Sequence, residues 1–170
     1  MHYHRPVAGL SIAKARAMSK PPKVVNPRDW PRPSGYSNAT VGQGQIITLA
    51  GQIGWDPITE TLVSDDFGQQ SRQAIANVLT ALEAAGGKAE HLVRLTWYIT
   101  DRDAYIKSRE KIGKAYREEL GKHYPAMSVV VVAGLLHPGA KVEIEATAVM
   151  QPGANTKPAK SKKPARKTRK

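Results

Sequence analysis

The chain contains no cysteine. Disulfide frameworks, thiolate metal sites and thiol nucleophiles are therefore excluded, and the composition fits a cytoplasmic protein. Aromatic residues are scarce, with a single phenylalanine among them, so aliphatic side chains and alanine must fill the interior. No apolar run approaches the roughly 18 residues that a bilayer span requires, so no membrane partner is expected. Acidic residues are missing from both ends: neither 1–23 nor 151–170 contains Asp or Glu. His2 and His4 lie in the first of these ends, and His91, His123 and His137 show no ligand spacing, so no metal site is expected. Glycine-rich phosphate loops, serine-nucleophile elbows and HExxH helices are absent as well.

What the chain does have is positive charge, unevenly placed. Its 26 Lys and Arg against 14 Asp and Glu give a net charge of +12. Residues 1–23 hold five of the basic residues and 151–170 hold eight, which leaves 13 against all 14 acids in 24–150, a net of −1. The basicity belongs to the ends rather than to the folded body. Residues 1–23 have no apolar period and no hydrophobic signal core. They read as a disordered basic leader, with Met18 as an alternative start, rather than a targeting segment. From Gln151 onward, Lys-Pro-Ala units without a large apolar residue cannot offset chain entropy by burial, so 151–170 is expected to be a disordered tail. Such a tail is expected either to be a solubilising extension or to bind nucleic acid weakly and non-specifically through counterion release, without sequence reading because it lacks aromatics.

The domain is expected over 24–150. Pro27, Pro31 and Pro33 make 24–35 an extended lead-in. Residues 36–42 and 45–50 read as a hairpin around Gly42-Gln43-Gly44, and 51–61 as a loop. Residues 67–85 form a helix, with Ala74, Val78 and Leu82 on one side, Asp65 and Asp66 at its positive end, and Gly86-Gly87 as a stop. A strand follows over 91–100. Asp101 or Asp103 caps a second helix over 104–121, whose apolar side carries Tyr105, Ile112, Tyr116 and Leu120. Residues 124–150 read as two strands joined by a short Gly/Pro turn. The first holds an apolar run, 129–132, suited to burial on both faces. The second alternates Val142, Ile144 and Ala146 with Glu143, Glu145 and Thr147. The order β-β-α-β-α-β-β predicts an α+β domain with helices on one face of a mixed sheet.

Several of these segments resemble the RidA/YjgF family of reactive-intermediate deaminases. Gly35-Tyr36-Ser37-Asn38-Ala39 is similar to the family's Gly-Pro-Tyr-Ser entry, and Ala50-Gly51-Gln52-Ile53 to its Ser-Gly-Gln-Ile turn. Gln70 and residues 77–86 resemble its helix ending Leu-Glu-Ala-Ala-Gly, and Val142-Glu143-Ile144-Glu145 its Val-Glu-Ile-Glu strand. The resemblance covers about 36–150. It departs at Pro125-Ala126-Met127-Ser128, where the family reads Pro-Ala-Arg-Ser and the arginine grips the substrate carboxylate.

The resemblance implies a chorismate-mutase-like fold and a homotrimer with ligand clefts between subunits. It also implies hydrolysis of an enamine or imine acid to a 2-keto acid and ammonia, with no metal or organic cofactor. Carried over residue by residue, the catalytic glutamate falls on Glu143. Substrate-binding positions fall on Tyr36 at the cleft mouth, Ala50 and Gly51 at the small-residue turn, Met127 at the arginine position, and Ser128 after it. The family's second helix has Asn four residues after an aromatic; counting from Tyr105, that place is Arg109. One cation is lost at 127 and one gained at 109. Arg109 is thus expected either to supply anion recognition or to be a solvated charge beside Glu110. Met127 is expected either to form an apolar wall, which implies altered ligand specificity, or to serve packing alone, and Trp55 is either a cleft lid or surface packing. Two other classes stay open: a non-catalytic small-molecule-binding trimer, and a nucleic-acid-associated protein acting through its tail.

Overall fold

The computed structural model describes residues 21–150; the tail and nearly all of the expected leader lie outside the described residues. The strands are β1 (Lys23–Val25), β2 (Ala39–Val41), β3 (Gln45–Ile53), β4 (Trp55–Asp56), β5 (Thr61–Leu62), β6 (Leu92–Ile99), β7 (Ala126–Val131) and β8 (Val142–Met150). Helix α1 (Phe67–Ala84) lies between β5 and β6, and α2 (Arg102–Lys107) and α3 (Arg109–Leu120) lie between β6 and β7. β3, β8, β6 and β7 form the central sheet in that order. β8 runs antiparallel to both neighbours and β6 parallel to β7. The sheet is mixed and its helices pack on one face, as the α+β reading predicts.

Alternation decides which side chains meet the helices. Val142, Ile144, Ala146, Ala148 and Met150 of β8 are buried, while the residues between them face the open side and are half-exposed. A register shift between Leu92 and Arg94 lets Leu92 as well as Leu95, Trp97 and Ile99 point inward from β6. Against this face α1 buries Phe67, Ala74, Ile75, Val78 and Leu82. α3 adds Ile112, Ala115, Tyr116 and Leu120.

α1 starts where Asp66 accepts the Gln69 amide at 2.9 Å, and ends at Gly86, whose φ of 84° suits the left-handed turn after a helix. Lys111 Nζ sits 3.0 Å from Asp66 Oδ2. This bond, seconded by the Gln69 amide, holds the Asp66 carboxyl below its ordinary 3.8. Asp66→Ala is expected to cost about 1 kcal/mol at neutral pH, read from urea midpoints. Since the folded-state pKa is the lowered one, the contribution is complete above 3.8 and is lost as pH falls through the folded value. A penalty that stays constant into acid would contradict the assignment.

Four sequence expectations need correction, three of them over strand pairing. β2 does not form a hairpin with β3; it pairs with β1, and β3 pairs with β8 instead. The expected loop over 51–61 holds the end of β3 and the β4–β5 hairpin. The second helix is broken at Ser108, which caps α2 and is buried. β7 and β8 are not joined by a tight turn, because β8 inserts between β3 and β6 while β7 lies on the far side of β6. Within a single chain the valine run lies open on the edge strand, with Val129, Val130 and Val131 36%, 43% and 54% exposed.

Candidate functional site

The sheet carries two candidate ligand regions. The first is built on a bulge in β3. Leu49 faces Ala146 and Gln52 faces Ile144, so Ala50 and Gly51 together stand opposite Glu145. A bulge bends its strand and re-aims the backbone. Here it brings Gly51 under the neighbouring Glu143: a Cβ built on Gly51 would overlap the carboxylate, coming within 2.6 Å of Glu143 Cδ and 2.8 Å of Cγ. Gly51 and Glu143 border a cavity of about 510 Å3 with Ile53, Trp55, His137 and Pro138.

Two buried polar residues of α1 hold the walls of this cavity. Asn77 Nδ2 donates to the Ile53 and Trp55 carbonyls at 3.1 and 2.9 Å. Gln70, fully buried, donates to the Ser64 and Gly139 carbonyls at 2.8 and 3.1 Å and accepts the Lys141 amide at 2.8 Å. Both act as positioning residues. Sequence reasoning used them only as marks of resemblance. The available signal was a pair of amides on the buried side of an otherwise apolar helix, where each must find backbone partners.

The second region lies between β7 and α3. Met127, Arg109, Tyr105 and Trp97 border a cavity of about 400 Å3. Met127 packs against the edge of the core and borders this cavity. Burial raises the Tyr105 hydroxyl pKa, and the Arg109 charge opposes that shift. A neighbouring cavity of about 650 Å3 contains Tyr36 and shares Ser34, Gly35 and Tyr124 with the Met127 cavity. Ser37 pins this junction: its hydroxyl donates to Tyr124 O at 2.6 Å and its amide to Pro125 O at 3.1 Å.

The predicted residues therefore fall into two groups. Ala50, Gly51 and Glu143 cluster at the β3 bulge, where Trp55 borders the cavity. Tyr36, Arg109 and Met127 cluster beside the start of β7. Among the described residues, Glu143 and Arg109 border different cavities. Ser128 points to the opposite side of β7 from Met127 and is exposed. On that open face it stands level with Thr96 and Glu145. Nearby, Tyr98 donates its hydroxyl to Glu145 at 3.1 Å, which, with burial, raises the phenol pKa. Among the described residues, no group of three or more His, Asp or Glu is placed to hold a metal ion, and no helix is long and apolar enough to cross a membrane.

A mixed sheet with one helix-covered face, a carboxylate seated on a glycine bulge and a cavity beside the edge strand define an α+β domain with two candidate ligand regions. The chain belongs to the Endoribonuclease L-PSP family, the RidA/YjgF proteins, whose family model matches residues 30–150. It is 32% identical over 126 residues to a RutC family protein of Pyrococcus horikoshii, covering 74% of this chain and 96% of that protein. It is 29% identical over 141 residues to the human 2-iminobutanoate/2-iminopropanoate deaminase, covering 83% of this chain and 93% of that one. A crystal structure of a Rid-family protein from Yersinia pestis superposes with a TM-score of 0.68 at 29% identity, covering 77% of this chain and all of that one.

Proposed function

We propose that this protein hydrolyses an enamine or imine acid to the 2-keto acid and ammonia. The observation that carries the reading is the seat of Glu143 on Gly51, at a bulge that opens to a cavity. The kinship with an imine deaminase supports it. In this reading Glu143 takes a proton from the water that attacks C2 of the imine and passes it to the departing nitrogen. Water is consumed, the C–N bond breaks, a C=O bond forms, and ammonia leaves. Ala50, Gly51 and Ser128 supply backbone and hydroxyl groups around the reacting carbon, Tyr36 closes the mouth, and Met127 and Arg109 receive the rest of the acid.

The separation of Glu143 from Arg109 within one chain fits a cleft shared by two copies. The open sheet face supports self-association: Ile46 and Val130 on it are 67% and 43% exposed, and no described element covers it. The assembly we propose is a homotrimer, so light scattering should return three times the 18.5 kDa chain mass. Val130→Lys should shift that mass toward a single chain, and an unshifted mass would count against the open face as the interface.

The decisive experiment supplies 2-iminobutanoate, generated in the cuvette, to the full chain. Ammonia release above the buffer rate is the expected result. Release at the buffer rate would leave a non-catalytic binding protein as the reading.

A further inference from the structure

We infer that the Met127 cavity takes an acid carrying two carboxylates; the inference rests on the imino-acid reading above. Three unpaired donors carry it. Arg109 and Arg117 both border the cavity, and among the described residues neither has a carboxylate within 4.0 Å. Both are exposed, so neither serves the core. The two stand two turns apart on α3, with Gly113 midway on the same face. Side chains on a helix lean toward its N-terminus, and Arg117 does so: its Nη1 lies 3.3 Å from the position a Cβ would take on Gly113. The second guanidinium thus folds back over the glycine toward Arg109.

The third donor is Trp97. It borders the same cavity, is 1% exposed, and its indole N–H is buried with no hydrogen-bond partner among the described residues. A buried N–H without a partner is costly, and an acceptor on a ligand would relieve it. Glu110 also lines the cavity, so its charged lining still carries a net positive charge from Arg109 and Arg117. Each guanidinium matches one carboxylate, and the indole N–H matches an oxygen between them. A monocarboxylate leaves one cation unused. The ligand class is therefore a 2-imino or 2-oxo dicarboxylate.

Calorimetric titration of the full chain with 2-oxoglutarate and with 2-oxobutanoate tests this. The dicarboxylate should bind about tenfold more tightly, the order of one charge-assisted hydrogen bond. Arg117→Gln should lower 2-oxoglutarate affinity to that of 2-oxobutanoate, and Arg109→Gln should weaken both. The indole N–H resonance of Trp97 should move when 2-oxoglutarate is added. Equal wild-type affinities, or a preference that survives Arg117→Gln, overturn the inference; a stationary resonance removes Trp97 from it. Ammonia release from 2-iminobutanoate with no dicarboxylate preference leaves the deaminase reading standing alone. An Arg117-dependent preference without ammonia release does the reverse.

Discussion

Glu143→Gln should lower ammonia release by a factor on the order of 10² to 10⁴, the range for losing a positioned acid–base group. Glutamine keeps the shape of the side chain and removes its ability to take a proton. Gly51→Ala should produce nearly the same loss by a different route. Gly51 is not held at positive φ, so alanine meets no backbone strain there. Its methyl group would collide with the Glu143 carboxylate and carboxyl-bearing carbons instead. That side chain is half-exposed and flexible, so it moves aside at a cost in stability within about 0.5 kcal/mol. The expected pair is therefore two folded proteins, one lacking the carboxylate and one with it displaced, both nearly inactive. If Gly51→Ala melts like the wild type and retains full turnover, the seat on Gly51 is not what places Glu143 for catalysis.

Gln70→Leu should destabilise the domain by on the order of 3 kcal/mol. Leucine fills similar space but leaves two carbonyls, Ser64 and Gly139, and the Lys141 amide without their partner. Ser64 and Lys141 are half-buried, so their unpaired backbone groups are unfavourable, whereas the exposed Gly139 carbonyl can turn to water. A loss of that size lowers the melting temperature by on the order of 10 °C for a domain of this length. The effect should also reach turnover, because Gly139 and Lys141 lead directly into the strand that carries Glu143. A melting temperature within about 2 °C of wild type would show that solvent or a local shift replaces all three bonds.

The elements that local pattern exposes are the ones the fold keeps. The i, i+3, i+4 spacing of Ala74, Ile75, Val78 and Leu82 marks α1, and strict alternation marks β8, down to which residues are buried. Both signals arise within one element, from the 3.6- and 2-residue periods. Pairing is not local. Nothing in residues 39–41 says that they join 23–25 rather than 45–53, since any exposed edge offers the same backbone donors and acceptors. The same ambiguity hid the insertion of β8 between β3 and β6.

The candidate site divides along the same line. Resemblance was enough to single out Glu143, Gly51, Met127 and Arg109 by position. Contact was needed to seat Glu143 on Gly51, because a bulge in one strand and alternation in its neighbour must meet at one register. Contact was also needed to part Glu143 from Arg109 and to bring Arg117 and Trp97 beside Met127. Residue type and spacing therefore reveal period, charge and kinship, including the near-neutral body between basic ends. Which distant side chains share a cavity depends on strand order and helix placement, and these are set by the mutual burial of faces rather than by any one segment.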